Sequence, residues 1–197
     1  MSAAASGRIG PNAITRVAEA LGPARAGPVF RRAGLTAYLA SPPQAMVDEG
    51  EVIALHAALR ADLGAAEARR VADEAGCRTA TYLLAHRIPA AAQRLLKVLP
   101  AGLAARALLR AIGGHAWTFA GSGRFSAQVT GDRARPVVLT IAHNPLCRGV
   151  LSAEPGCDYY RAVFEVLFRT LVHGGATVVE TACEACGDPA CVFEVRW

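Results

Sequence analysis

The placement of cysteines is the feature of this chain that most constrains its fold. Three of the six cysteines, Cys183, Cys186 and Cys191, fall in the last fifteen residues, and Cys157 lies shortly upstream. A Gly-Asp-Pro turn precedes the last of them and would bring neighbouring thiols to one point, while zinc takes thiolate sulfur and carboxylate oxygen as ligands. The end of the chain is therefore predicted to be a hairpin stabilised by tetrahedral zinc.

The residues themselves allow more than one ligand set. Cys157, Glu180, Cys183 and Cys191 would close a tetrahedron, and a closed set leaves no position for water or substrate, which makes such a site structural. The Cys183-x-x-Cys186 spacing is also common in zinc sites, so Cys186 is an alternative to Glu180. Free buried cysteines, which are common in protein cores, are the remaining interpretation.

Length and composition indicate one domain, with or without an N-terminal extension. A chain of 197 residues can bury a core without disulfides. We see no signal-peptide pattern at the start and no run that approaches the roughly 18–20 apolar residues of a membrane span. We therefore expect a cytoplasmic protein, in which the cysteines are metal ligands or free thiols rather than disulfides.

The charge of the chain is mildly basic, with 21 Lys and Arg against 16 Asp and Glu. The arginines are scattered and do not form a dense stripe with aromatic residues, so we expect no nucleic-acid partner. Solvated helix faces explain such a distribution. Peripheral docking of a basic surface on a membrane or an acidic partner is the alternative.

Hydrophobic spacing divides the chain into a helical half and a sheet, which predicts an α+β fold with one long helix across an antiparallel sheet. Gly76 lies within the longest helix and would let another element approach closely. Gly121-Ser122-Gly123 predicts a hairpin turn. Residues 1–10 are expected to lack regular structure. The predicted helices are 11–21, 29–39, 47–63, 65–87, 90–98, 101–112 and 158–173, and the predicted strands are 115–120, 124–130, 136–142, 177–183 and 190–197.

The C-terminal motif resembles a known family. Glu180-x-x-Cys183 followed by Gly-Asp-Pro-x-Cys191-x-Phe is similar to the 4-vinyl reductase domain family, which includes the ligand-sensing domains of phenol-responsive bacterial activators. The resemblance spans roughly residues 45–197 and is most specific at the C-terminus. It implies a small-molecule-binding α+β domain, similar in shape to vesicle-tethering and haem-based gas-sensing domains.

The same resemblance implies roles for particular residues and segments. It assigns a structural zinc to Cys157, Glu180, Cys183 and Cys191, and it leaves Cys186 outside the coordination shell. Residues 1–44 would be an N-terminal extension with short helices, and by analogy with the sensors these helices would support a homodimer.

The whole chain resembles a stand-alone member of this family from bacteriochlorophyll biosynthesis, whose name implies 4-vinyl or 8-vinyl reduction. Such a reaction needs a nicotinamide, flavin or iron–sulfur donor. The sequence has no strand–GxGxxG–helix unit and no cluster spacing of cysteines. We therefore expect an accessory protein that holds a Mg-porphyrin or protochlorophyllide-type tetrapyrrole, or hands it to enzymes of the magnesium branch. A vinyl reductase that borrows an electron donor, and a small-molecule sensor or scaffold module, are the alternatives.

A flat macrocycle requires apolar walls and a few polar groups. Histidines could supply an axial ligand to magnesium, with His86 as a third choice, and Arg78 could meet a carboxylate. The bland alternatives are aromatic core packing, surface histidines, and an arginine that reaches to solvent. The candidate ligand-binding residues are Trp117, Phe119, Phe125, Tyr160 and Phe164 as walls, His115 and His143 as axial ligands, and Arg78 as the carboxylate partner.

Overall fold

The computed structural model describes residues 7–197, in which a mostly helical half precedes an antiparallel sheet, and this confirms the predicted α+β class. The helices are α1 (Asn12–Arg32), α2 (Ala37–Ala40), α3 (Glu49–Leu63), α4 (Ala65–His86), α5 (Ala90–Val98), α6 (Ala101–Gly114), α7 (Trp117–Ala120) and α8 (Asp158–Leu171). The strands are β1 (Arg8–Ile9), β2 (Val47–Asp48), β3 (Arg124–Val129), β4 (Val137–Ala142), β5 (Thr177–Ala182) and β6 (Cys191–Arg196).

The main sheet has four strands in the order β3-β4-β6-β5, and every neighbouring pair is antiparallel. Side chains alternate between buried and partly exposed along β4 and β6, as expected for strands with one face on the core. Helix α8 packs against β5 and β6, which confirms one helix laid across the sheet. The fully buried sheet residues include Val137, Leu139, Ile141, Phe193 and Val195.

Helix α8 also packs along α4, and Gly76 permits that contact. A Cβ atom at Gly76 would lie 2.3 Å from the Tyr159 carbonyl oxygen and 2.9 Å from the Ala162 Cβ. Only glycine allows two backbones to approach so closely. The prediction of a close approach at Gly76 is therefore confirmed, and α8 is held between the sheet and α4.

Helix α1 packs against α3 and α4, and its Val17 and Phe30 are fully buried in the common core. The sequence predicted two helices separated by Gly22-Pro23, whereas the structure continues the helix through a kink at Gly22, whose φ is 69°. The division at residue 44 and the homodimer stay predictions.

The first predicted strand, 115–120, is wrong. Residues Trp117–Ala120 form the short helix α7, in which the Ala120 amide donates to the Ala116 carbonyl at 2.8 Å. The alternation in this segment is too short to distinguish a strand from a helical turn. Gly121-Ser122-Gly123 consequently leads from α7 into β3, and the first hairpin of the sheet joins β3 to β4 instead.

The prediction for residues 1–10 is tested only in part. Positions 1–6 lie outside the described residues, and Arg8–Ile9 form β1, which pairs with β2. The helices between residues 7 and 197 include none long and apolar enough to cross a bilayer.

Candidate metal centre and ligand groove

Four buried cysteines from four chain segments meet at one end of the sheet. Cys147 ends a 3-10 turn after β4, and Cys157 is the residue before α8. Cys183 follows β5, and Cys191 begins β6. Their ligand atoms all lie within 4.8 Å of one another. The fold therefore gathers four soft ligands that are far apart in sequence.

The sulfur atoms are spaced as a tetrahedral metal site requires. The six Sγ–Sγ distances run from 3.3 Å, for Cys147 and Cys157, to 4.0 Å, for Cys183 and Cys191. Four thiolates bound to zinc at about 2.3 Å would be about 3.8 Å apart. A disulfide needs about 2.05 Å, and all four thiols are free. The donor set and its dimensions thus fit a tetrahedral thiolate metal.

A buried amide supports the cluster from the second layer. The fully buried Asn144 donates its side-chain Nδ2 to the sulfur atoms of Cys157 and Cys191, at 3.2 Å each. Its own backbone N–H donates to the Glu184 carboxylate at 2.8 Å, and the Glu184 N–H donates to the Cys191 sulfur at 3.5 Å. Such donors orient thiolates and disperse their charge, as in metal sites generally.

Glu180 lies beside the four cysteines. Its Oε2 atom accepts a hydrogen bond from the Cys157 N–H at 2.8 Å, while its buried Oε1 atom has no hydrogen-bond partner within residues 7–197. The predicted ligand set and the observed cluster share Cys157, Cys183 and Cys191. Cys147 was missed, because its spacing from the other cysteines carries no motif. Cys186 is exposed and lies outside the cluster.

The protonation states reflect the crowding of acidic groups. Burial raises the pKa of Glu180 to about 9, against the Cys157 N–H, which acts in the opposite direction. Hydrogen bonds from Cys147, Cys157 and Cys191 lower the pKa of Cys183, whereas Cys147, Cys183 and Cys191 raise that of Cys157. A cation able to neutralise several thiolates would relieve this competition.

A positively charged side chain of α3 lies near the same cluster. Burial lowers the pKa of Arg60, while the charges of Cys147 and Cys157 act to raise it. Next to it, the buried His56 has no partner for its Nε2 atom within the described chain, and burial lowers its pKa to about 3. Both line a small cavity of about 60 Å³ against Cys147. Neutral His56 and charged Arg60 thus form the α3 wall of the site.

Four of the predicted wall residues pack into one aromatic cluster between α7, β3 and α8. The Phe119 ring lies 5.3 Å from Phe125 and 6.3 Å from Phe164, and Tyr160 stacks on Phe164 at 6.5 Å between centroids. The Tyr160 hydroxyl donates to the Phe119 carbonyl at 2.8 Å. Burial raises the pKa of Tyr160 well above its usual value. These four residues are mutual packing partners.

The other predicted ligand residues are dispersed. His115 and Trp117 are exposed where α7 begins, and the His115 Nδ1 atom lies 2.8 Å from the Ala111 carbonyl oxygen. His143 is also exposed, has a φ of 56°, and lies 3.4 Å from an Arg124 guanidinium nitrogen. The ring contacts that the aromatic cluster makes are with other aromatic residues of α7, β3, α8 and β6.

Arg78 lies in an open groove between α1 and α4, with a volume of about 610 Å³. It pairs with Glu74 at 2.7 Å. Across the groove, the Arg16 guanidinium carbon lies 4.7 Å from the centre of the Tyr82 ring. The Tyr82 ring is 4.8 Å from the ring of His86, the third-choice histidine. The groove thus combines two guanidinium groups, an imidazole and an aromatic wall.

Comparison with known proteins places the chain in a family. A model of the 4-vinyl reductase domain matches residues 137–197. The "Bacteriochlorophyll synthase 23 kDa chain" of Cereibacter sphaeroides is 46% identical over 192 residues, which cover 95% of this chain and 90% of that protein. The protein of the same name from Rhodobacter capsulatus is 41% identical over 190 residues, covering 94% and 85%.

Among solved structures, the phenol-responsive sensory domain of the transcription activator PoxR with phenol is 16% identical, with a TM-score of 0.44, over 76% of this chain and 74% of that chain. The two sequence relatives extend over nearly the whole chain at far higher identity. The protein therefore belongs to the family of the bacteriochlorophyll synthase 23 kDa chain and contains a 4-vinyl reductase domain over residues 137–197.

Proposed function

We propose that this protein is an accessory protein of bacteriochlorophyll synthesis that binds a tetrapyrrole of the Mg-porphyrin or protochlorophyllide type. In this role it holds the intermediate, or hands it to enzymes of the magnesium branch. The names of its two relatives support the pathway. The observation that carries the binding role is the groove between α1 and α4.

The size of the groove suits a ligand larger than a single ring. Its volume of about 610 Å³ lies within the range of small-molecule sites. The Tyr82 ring offers a face against which a flat macrocycle can stack. The half-buried Cys77 and the small Ala85 line the same groove and leave room beside that ring.

The charges of the groove suit a carboxylated macrocycle. Arg16 and Arg78 carry guanidinium groups, which bind carboxylates in bidentate geometry. Both are now paired with acidic neighbours, Arg16 with Glu19 and Arg78 with Glu74. These pairs are exposed and therefore weak, so an incoming carboxylate can exchange with them at low cost. His86 would then supply an axial nitrogen to magnesium.

We further propose that zinc occupies the cluster of Cys147, Cys157, Cys183 and Cys191 as a structural ion. Four protein ligands leave no open position, so the metal would hold the β4 turn, the start of α8 and the β5–β6 hairpin together. Glu180 would then orient Cys157 through its backbone N–H. Zinc would contribute folding free energy here, and the chemistry of the groove would not depend on it directly.

The test is a titration of the purified protein with protoporphyrin IX, Mg-protoporphyrin and divinyl protochlorophyllide, followed by absorbance and fluorescence. We expect dissociation constants of roughly micromolar or tighter for at least one. The Arg16→Ala/Arg78→Ala variant should bind more weakly by about tenfold or more. Arg133→Ala, which removes an exposed arginine from the β3–β4 loop, is the matched control.

Other outcomes would change the proposal in defined ways. Loss of binding in a His115→Ala/Trp117→Ala variant, with the groove variant unaffected, would move the site to the start of α7. Loss of vinyl absorbance after addition of NADPH and an electron-donor protein would make the protein a vinyl reductase. No binding of any tetrapyrrole would refute the proposed function.

A further inference from the structure

The middle of the chain has a strongly one-sided charge. Between Glu74 and Asp132 there is no acidic residue, although the whole chain contains 16. The same interval contains seven basic residues besides two histidines. They are Arg78, Arg87, Arg94, Lys97, Arg106, Arg110 and Arg124. Helices α5 and α6, which pack against each other, lie at the centre of this interval.

The exposed faces of these two helices also carry large apolar side chains. On α5, Leu95 and Val98 share one face at a spacing of three residues, and Val98 is 78% exposed. On α6, Leu103 is exposed, and the chain leads after the helix to Trp117, which is 62% exposed. None of the residues of α5 is buried. Large side chains exposed at neighbouring positions commonly mark an interaction site.

The cations beside these apolar residues take no part in holding the fold. Arg94 and Lys97 on α5, and Arg106 and Arg110 on α6, form no ion pair within the part of the chain that is described, residues 7–197. By contrast, Arg69 pairs with Asp158 and Arg161 with Glu165. The charge of the four α5–α6 cations is therefore uncompensated and available to a partner.

Apolar side chains mixed with unpaired cations suit one kind of partner best. An anionic lipid bilayer offers phosphate groups to the cations and acyl chains to the apolar residues, and an exposed tryptophan prefers the depth of the headgroups. We propose that α5 and α6 are a docking surface for an anionic bilayer, on which they lie without crossing it. This proposal goes beyond the proposed function and does not require a bound tetrapyrrole.

Vesicle sedimentation tests the proposal directly. The full chain is mixed with vesicles of phosphatidylcholine alone or with added phosphatidylglycerol, and we expect binding only to the anionic vesicles, weakened by salt. Each basic residue at such a surface contributes about fivefold in affinity, so Arg106→Gln/Arg110→Gln should lose roughly 25-fold. Leu95→Ser/Val98→Ser should also weaken binding. The exposed pair Arg133→Gln/Leu151→Ser, which lies elsewhere, should not.

Tryptophan fluorescence supplies a second readout. The chain has two tryptophans, and Trp197 packs on Phe168 at 6.3 Å between rings. Anionic vesicles should shift the emission of Trp117 to the blue, and Trp117→Phe should abolish this shift. Equal binding to soluble polyglutamate or RNA, independent of Leu95 and Val98, would overturn the bilayer in favour of an acidic macromolecule. Wild-type levels of vesicle binding by both double variants would also overturn it.

Discussion

Replacement of Cys147 by serine separates the two residues that could complete the proposed zinc site. The Cys147 sulfur lies 3.3 Å, 3.7 Å and 3.4 Å from those of Cys157, Cys183 and Cys191. These lengths are close to the edge of about 3.8 Å expected for a zinc–tetrathiolate tetrahedron. If Cys147 is the fourth ligand, its loss removes a metal bond, whereas Glu180→Gln removes only the charge of a neighbouring acceptor.

The expected magnitudes follow from these positions. Loss of an outer-layer partner typically costs 10- to 100-fold in metal affinity, and loss of a ligand should cost more. We therefore expect Cys147→Ser to weaken zinc binding by more than about 100-fold, which is about 2.8 kcal/mol. Glu180→Gln should weaken it by about tenfold, because glutamine can still accept from the Cys157 N–H. Cys186→Ser, at an exposed position outside the cluster, should leave affinity unchanged.

The assay is competition with a chromophoric chelator, followed by cobalt substitution. Zinc affinities give the energetic ranking, and thiolate-to-cobalt charge-transfer absorbance reports the number of sulfur ligands. That absorbance should fall by about a quarter in Cys147→Ser and stay constant in Glu180→Gln. The opposite pattern, with normal affinity in Cys147→Ser and an altered cobalt spectrum in Glu180→Gln, would refute the reasoning and restore the ligand set predicted from sequence.

Two further predictions concern packing and pH. Gly76→Ala should destabilise the fold by about 3 kcal/mol and lower Tm by roughly 6–12 °C, because its new Cβ would clash with the Tyr159 carbonyl. Gly102→Ala, where a Cβ meets nothing within 4 Å, should be neutral or slightly stabilising in the same thermal melts. Burial raises the pKa of Glu49, but hydrogen bonds from Ser122 and Arg148 outweigh it, so the folded-state pKa lies below 4.5. The stability it contributes is complete above its unfolded-state pKa and is lost as the pH falls through the folded value. Urea unfolding should therefore show that Glu49→Gln costs about 2 kcal/mol near pH 7 and less near pH 3, whereas an equal cost at both pH values would contradict the lowered pKa.

Local sequence signals predicted most of the elements correctly. Helix α4 begins at Ala65 as predicted, and α5 spans 90–98 in both the prediction and the structure. The period of apolar residues and the positions of proline report local geometry, which these elements obey. The short segment 115–120 failed because six residues of alternation do not distinguish a strand from a helical turn closed by backbone hydrogen bonds.

The site was predictable only where its residues lie near one another in sequence. Cys183 and Cys191 flank one turn, so their proximity follows from a hairpin. Cys147 reaches them through the pairing of β4 with β6, in which Ile141 lies opposite Cys191. Such a contact depends on the order of strands in the sheet, which spacing does not encode. Likewise, Phe119 and Tyr160 could be assigned as aromatic, but only the fold shows that they are packed against each other.

The metal centre and the ligand groove are at different places, yet the same helix pair connects them. Cys157 is the residue before α8, so a metal in the cluster would fix where that helix begins. Helix α8 contacts α4 most closely at Gly76, and Arg78 and Tyr82 of the groove follow within two turns of α4. Rigid packing transmits such constraints because protein interiors are dense. A structural metal at one end of the sheet would therefore help to position the groove, although no metal ligand lines it.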